Sequence, residues 1–140
     1  MTGIHLQPIG VISSPYHEQG EAPRQGRLSP ATSEILVFPG YAEGLRDLSD
    51  HHHLFILYWC DRSRRDILTA IPPHDREKRE HGVFATRSPE RPNPIAICLV
   101  DLVGVEGNRL MVRGLDALDG SPLLDIKPFY KDLDCPEGVG

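Results

Sequence analysis

Cysteine is scarce, with Cys60, Cys98 and Cys135 standing alone and far apart. An odd, scattered set argues against a disulfide framework and against a zinc site built on a Cys-x-x-Cys pair. Cys60 and Cys98 sit in apolar runs and read as small buried hydrophobes, whereas Cys135 reads as an exposed thiol. Long hydrophobic stretches are missing too. The longest, from Leu54 to Cys60, suits a buried strand and falls far short of a membrane span. The N-terminus has no basic-then-apolar secretory pattern, which leaves the cytoplasm as the expected location and gives no reason to expect a membrane. No glycine-rich phosphate loop appears, and Ser13 and Ser14 lack a nucleophile elbow, so nucleotide-triphosphatase and hydrolase readings are weak. Positive charge is in deficit: 15 Lys and Arg against 20 Asp and Glu give a formal net charge of -5. A protein that grips RNA through phosphates usually carries a basic face, so any RNA footprint here has to be local.

What is abundant is punctuation. The 13 prolines and 13 glycines cut the 140 residues into short segments with little room for a long helix. Ile9 to Ser13, Glu34 to Phe38, Leu54 to Cys60 and His81 to Thr86 read as strands. Ile95 to Val105 and Arg109 to Leu115 read as a hairpin turning at Glu106-Gly107-Asn108. Tyr41 to Leu48 is the best short helix, with Tyr41, Leu45 and Leu48 at helical spacing and Gly44 weakening it. The expected fold class is mainly β: a small antiparallel barrel with one or two short helices, as a single domain over residues 1–140. One basic stretch, Arg62, Arg64, Arg65, Arg76, Lys78 and Arg79, is a candidate RNA contact. The blander alternative pairs it with Asp61, Asp66, Asp75, Glu77 and Glu80 on a solvated loop.

Three segments are too rich in proline, arginine and aspartate to be simple connectors: residues 23–26, 84–95 and 115–128. Each leaves or enters a predicted strand, so a barrel could gather all three at one mouth. In the second, Pro89, Pro92 and Pro94 stiffen the backbone and suit a pre-formed ligand wall. Alternatively it is a rigid turn in which Arg87 and Arg91 bond nearby carbonyls. In the third, Asp116, Asp119 and Asp125 could serve as acid and base or hold hydroxyl and ammonium groups. Their spacing is not that of a calcium loop, and no metal is expected. Nor can His51-His52-His53 all reach one ion, because successive side chains on a strand point to opposite faces; one is expected buried and the others solvated.

Ile9-Gly10-Val11-Ile12, Ser14-Pro15-Tyr16, Pro23-Arg24-Gln25, His53-Leu54, Phe84-Ala85-Thr86-Arg87-Ser88, Arg91-Pro92-Asn93-Pro94-Ile95, Leu115-Asp116, Asp119-Gly120 and Asp125-Ile126-Lys127-Pro128 occur in that order along the chain. In these strings the sequence resembles the TsaA-like domain family over nearly its whole length. The resemblance implies a β-barrel methyltransferase that works as a homodimer and uses S-adenosyl-L-methionine. The family's characterised members, tRNA methyltransferase O, methylate N6 of N6-threonylcarbamoyladenosine beside the tRNA anticodon, which makes tRNA the implied substrate. It also implies cofactor contacts from Pro23, Arg24, Gln25, Arg87, Ile97, Gly114, Leu115 and Asp116. Where the family runs its apolar strand into a Phe-His pair, this chain has Cys60-Asp61 followed by Arg62, so contacts from Asp61 and Arg62 would be made by backbone. Longer members carry a further C-terminal domain, which is not expected here.

On that reading the cofactor brings its own activated methyl, and the protein's task is orientation. Arg24 or Arg87 would pair with the cofactor's carboxylate, Asp116 with its ammonium or a ribose hydroxyl. Asp116 and Asp119 are the candidate catalytic bases for the acceptor nitrogen. Two alternatives stay open: a methyltransferase of the same barrel acting on a small molecule or another RNA, and a non-catalytic S-adenosyl-L-methionine-binding regulatory module.

Overall fold

The computed structural model describes residues 3–18, 21 and 31–137. Among them are the strands β1 (Gly10–Ser13), β2 (Thr32–Val37), β3 (His53–Trp59), β4 (Thr69–Ala70), β5 (His81–Gly82), β6 (Ile95–Glu106), β7 (Arg109–Arg113) and β8 (Pro122–Pro128), and one short helix, α1 (Lys131–Asp134). Six strands close into an antiparallel barrel in the order β1-β2-β7-β6-β3-β8, and β4 pairs with β5 as a separate ribbon.

The interior is set by the period of two along each strand. In β3, Leu54, Ile56 and Tyr58 are buried while Phe55, Leu57 and Trp59 lie half-covered on the outer wall. Ile12, Ile35, Val37, Cys98, Val100, Leu110, Val112 and Leu123 supply the other inward positions, with Leu115 and Ala117 plugging one end. Each buried aliphatic side chain contributes about 1.5–3 kcal/mol. A six-stranded barrel filled in this way has no lumen left for a ligand, so a binding site has to lie at a rim.

The hairpin of β6 and β7 turns on Gly107 and Asn108, as the sequence predicts. Its tip is stitched to β2: the Val37 amide donates to the Asn108 carbonyl at 2.9 Å, and the Asn108 side-chain amide donates to the Val37 carbonyl at 2.7 Å. The chain crosses from β1 to β2 so closely that a methyl on Gly10 would sit 2.2 Å from the Leu36 carbonyl oxygen.

Four expectations need correction. Residues 41–48 are not an α-helix but two 3-10 turns, Pro39–Leu45 and Leu48–Asp50. Arg46 is extended and Asp47 has a φ of 68°, which breaks the winding between them. Leu45 and Leu48 still pack on the core. The strand expected over His81 to Thr86 ends at Gly82 and gives way to a 3-10 turn, Val83–Ala85. The polar segment 115–128 hides a full barrel strand: β8 pairs with both β1 and β3, and its prolines fall at the strand's two ends, where a missing amide is tolerated. None of the three histidines is buried. His51 is half-exposed, and His52 and His53 are exposed, with His53 Nδ1 lying 3.0 Å from an Asp101 carboxylate oxygen. No helix among the described residues is long and apolar enough to cross a membrane.

Replacing Gly10 with alanine forces the Cβ into the Leu36 carbonyl, which β1 can escape only by leaving its register. The Gly10→Ala protein is expected to lose roughly 1–3 kcal/mol of stability, read as a lowered thermal midpoint by circular dichroism.

Candidate functional site

Alternation of strand direction decides where the polar segments meet. Strands β1, β3 and β7 end, and β2, β6 and β8 begin, at the same rim of the barrel. The connections 14–31, 60–94 and 114–121 therefore leave and re-enter at one mouth. Pro23, Arg24 and Gln25 fall outside the described residues.

Asp116 is the centre of what the mouth holds. Beyond β7 the chain turns at Gly114, whose φ of 92° favours glycine. Leu115 and Ala117 then bury themselves on either side of Asp116. The Tyr58 hydroxyl, on the inner face of β3, donates to Asp116 Oδ1 at 2.7 Å. The Cys98 thiol, inward on β6, donates to the Gly114 carbonyl at 3.3 Å, two residues before Asp116, and its influence reaches the Asp116 carboxyl. Burial raises the Asp116 pKa, while the hydrogen bonds from Tyr58 and Cys98 and the charge of Arg87 pull it back. The same burial, joined by the adjacent carboxylate, drives the Tyr58 phenol far above its ordinary range, so Tyr58 stays a donor. Cys60, at the end of β3, is pushed up to about 11 by burial and the Asp116 charge, so it is a protonated thiol rather than a nucleophile.

The arginines around the mouth divide sharply. Arg91 is committed to structure: Nη1 donates to the Thr86 and Ser88 carbonyls at 3.0 and 2.9 Å, and Nη2 to the Val83 carbonyl at 2.9 Å. Arg65 bonds the Pro92 carbonyl and the Asn93 side chain and lies over the Trp59 ring, 5.2 Å from its centroid. Together they pin the proline-rich loop at both ends. Arg87 does neither. It is exposed, its charge reaches Asp116, and no hydrogen bond or ion pair to the described residues occupies it. The expectation that both Arg87 and Arg91 might bond local carbonyls holds for Arg91 alone.

Arg87, Gly114, Leu115 and Asp116 thus share one neighbourhood. Asp119 stands in a different role: its Oδ1 accepts from the Ser14 amide at 3.0 Å and its amide donates to the Tyr16 carbonyl at 2.6 Å, tying the β7–β8 connection to the end of β1. Arg62 supports that tie, donating to the Asp119 carbonyl at 2.7 Å and the His17 carbonyl at 3.3 Å, and Asp61 lies exposed beside it with Oδ1 3.4 Å from Arg62 Nε. Ile97 faces outward from β6, 40% exposed, on the wall opposite to its neighbour Cys98. In the rest of the basic stretch, Arg64 pairs with Asp66 and Arg79 with Glu77 and Asp75. Among the described residues no cluster of three or more His, Cys, Asp or Glu side chains could hold a metal ion.

Sequence reasoning did not find Tyr58 or Cys98. The signal for Tyr58 was present: counting by twos from Leu54 places it indoors, and a buried phenol needs a partner for its hydroxyl.

Comparison with known proteins identifies the barrel. The family model described as the tRNA-methyltransferase O N-terminal domain matches residues 11–135. A protein of Archaeoglobus fulgidus named as an S-adenosyl-L-methionine-binding protein is 54% identical over 130 residues, covering 93% of this chain and 92% of that one. A Pseudomonas aeruginosa protein named as the putative S-adenosylmethionine-dependent methyltransferase RcsF is 40% identical over 135 residues, covering 93% of this chain and 58% of that one. The crystal structure of TrmO from Pseudomonas aeruginosa superposes with a TM-score of 0.81 at 32% identity, over 99% of this chain; the match spans 62% of the TrmO chain. A family match that runs from Val11 to Cys135, with a barrel that superposes on TrmO, leaves one assignment: this chain belongs to the tRNA-methyltransferase O N-terminal domain family.

Proposed function

We propose that this chain binds S-adenosyl-L-methionine at the barrel mouth and methylates N6 of N6-threonylcarbamoyladenosine beside the tRNA anticodon. The observation that carries the cofactor part is a pair of opposite charges on one rim: a partly buried carboxylate, Asp116, and an exposed guanidinium, Arg87, neither in an ion pair with the described residues. Holding an anion there costs stability, which a protein tolerates where a ligand uses the charge. A zwitterionic amino-acid tail fits the pair, carboxylate to Arg87 and ammonium, or a ribose hydroxyl, to Asp116. Arg24 is a second candidate for the carboxylate, and Pro23, Gln25 and the Gly114-Leu115 backbone are proposed to complete the contact. The barrel family and the relatives named for the same cofactor support this reading.

When bound, the cofactor supplies a methyl already activated on a sulfonium, so no metal or covalent enzyme intermediate is required. The chain's own work is to orient the two reactants and to take the proton that the urea-like acceptor nitrogen loses. Asp116 is the better of the two candidate bases, because burial raises its affinity for a proton. Asp119 has its carboxylate engaged by the Ser14 amide. Asp61 and Arg62 border the mouth, and their proposed part is to hold its shape.

A homodimer is part of the proposal. Ile95 and Ile97, both 40% exposed, stand on the outer face of β6, and Phe84 is 80% exposed at the head of the arginine loop. Exposed apolar side chains of this kind fit burial against a second copy. Across that contact Ile97, which turns its back on its own barrel interior, would reach the partner's cofactor.

A second reading keeps the cofactor and changes the acceptor to a small molecule or another RNA. It is favoured by the ion pairs that neutralise Arg64 and Arg79, which weaken the basic stretch as a phosphate footprint.

Three outcomes test these proposals. Arg87→Ala is expected to abolish S-adenosyl-L-methionine binding by calorimetry while the circular dichroism spectrum stays native; an unchanged affinity removes Arg87 from the site. Asp116→Asn is expected to lose binding yet melt a few degrees higher at neutral pH. Because the folded-state pKa of Asp116 is raised, the wild-type protein is relatively more stable when that group is protonated and loses this as pH rises through the folded pKa. The asparagine protein's advantage should therefore shrink toward acid pH; an advantage that does not depend on pH contradicts it. Nucleosides from tRNA of a strain lacking the gene should contain no methylated threonylcarbamoyladenosine by mass spectrometry, and its persistence would favour the second reading.

A further inference from the structure

We infer that Tyr58 and Cys98 are positioning residues that fix the orientation and charge state of Asp116 from inside the barrel. The inference rests on the cofactor reading above for its functional consequence, though not for its geometry. Tyr58 is 6% exposed and its ring belongs to the hydrophobic core, so the ring alone would be explained by packing. Its hydroxyl is not. A phenylalanine would fill the same volume without bringing a polar group into the interior. Here the hydroxyl is aimed at one acceptor, Asp116 Oδ1, 2.7 Å away and 58 residues distant in sequence. Cys98 adds a second donor from the neighbouring strand: its thiol anchors the Gly114 carbonyl at 3.3 Å, at the turn that leads into Asp116, and it lowers the proton affinity of the same carboxyl.

Two donors rising from two barrel strands thus meet one carboxylate at the rim. Both strands are rigid: β3 and β6 pair residue for residue from His53↔Asp101 to Trp59↔Ile95. A carboxylate on a connecting segment would otherwise sample several rotamers, and ordering it only when a ligand arrives would weaken binding. Bonds to the ionised form also lower its proton affinity against the opposing effect of burial. The titratable and charged groups facing Asp116 are Tyr58 from β3, Cys60 just beyond its end, Cys98 from β6 and Arg87 from the loop after β5. Tyr58 and Cys60 keep their protons across the neutral range, as burial raises both. Any acid titration at this point therefore belongs to Asp116.

The test is Tyr58→Phe, read in two ways. Carbon-detected NMR of the Asp116 carboxyl in the ligand-free protein should show its titration midpoint moving up by about one pH unit, the size expected for losing a hydrogen bond to a charged group. Calorimetry with S-adenosyl-L-methionine should show the acid limb of the affinity profile moving up with it, and an affinity at neutral pH roughly tenfold weaker. Cys98→Ala should move the midpoint in the same direction by less, and it carries the test if the phenylalanine protein fails to fold. Cys98→Ser, which keeps a donor, should restore most of the wild-type midpoint. A folded variant whose Asp116 midpoint does not move overturns the inference. If the wild-type protein binds no S-adenosyl-L-methionine at all, the functional proposal fails while the NMR midpoint still decides the positioning role. A midpoint that moves without any change in the affinity profile overturns the functional half of the inference.

Discussion

Closure of the sheet by β8 is the constraint on which the mouth depends. With β8 bonded to β1 on one side and β3 on the other, six short strands become a ring whose interior is filled by branched aliphatic side chains. Because every pairing in the ring is antiparallel, connections must alternate between rims, and the proline- and arginine-rich segment 84–94 falls on the same rim as the turn carrying Asp116 and Asp119. The opposite rim receives the 3-10 turns over 39–50, the tight Gly107-Asn108 hairpin and the exit toward α1. Chemistry and structural economy are thus separated by strand direction alone.

At the working rim the polar groups fall into two kinds. Arg65, Arg91, Arg62 and Asp119 spend their hydrogen bonds on backbone carbonyls and amides and make the loops stiff. Arg87 and Asp116 are of the second kind: the charge of Arg87 is felt at Asp116, and among the described residues neither closes an ion pair. Asp116 is held instead by the neutral Tyr58 hydroxyl, which leaves its charge uncompensated.

Much of this was legible in the sequence. Alternation and turn residues located the hairpin and three other barrel strands to within a residue or two, because a half-buried strand leaves a period-two imprint. β8 was not legible. Its prolines, Asp125 and Lys127 resemble a polar loop, and only the pairing partners reveal that Pro122 and Pro128 sit at strand ends. The helix expected over 41–48 failed for a local reason, since spacing does not report that Asp47 takes a left-handed backbone. At the site, Asp116 and Arg87 stood out through family-like strings. Tyr58 did not: alternation from Leu54 turns it inward, but nothing local to it tells that a carboxylate 58 residues away meets its hydroxyl. Nor could spacing tell Arg87 from Arg91, four residues away: which guanidinium is tethered depends on where the carbonyls of Val83, Thr86 and Ser88 point.

The continuous hydrogen-bonded ring has a further consequence. Within the barrel wall every strand has a neighbour on each side, which shortens the backbone ladder left for a foreign strand to extend. A macromolecule that associates with the wall then relies largely on side chains such as Ile95 and Ile97, and on the loops. Affinity built that way can be adjusted one residue at a time, with the core beneath it left untouched.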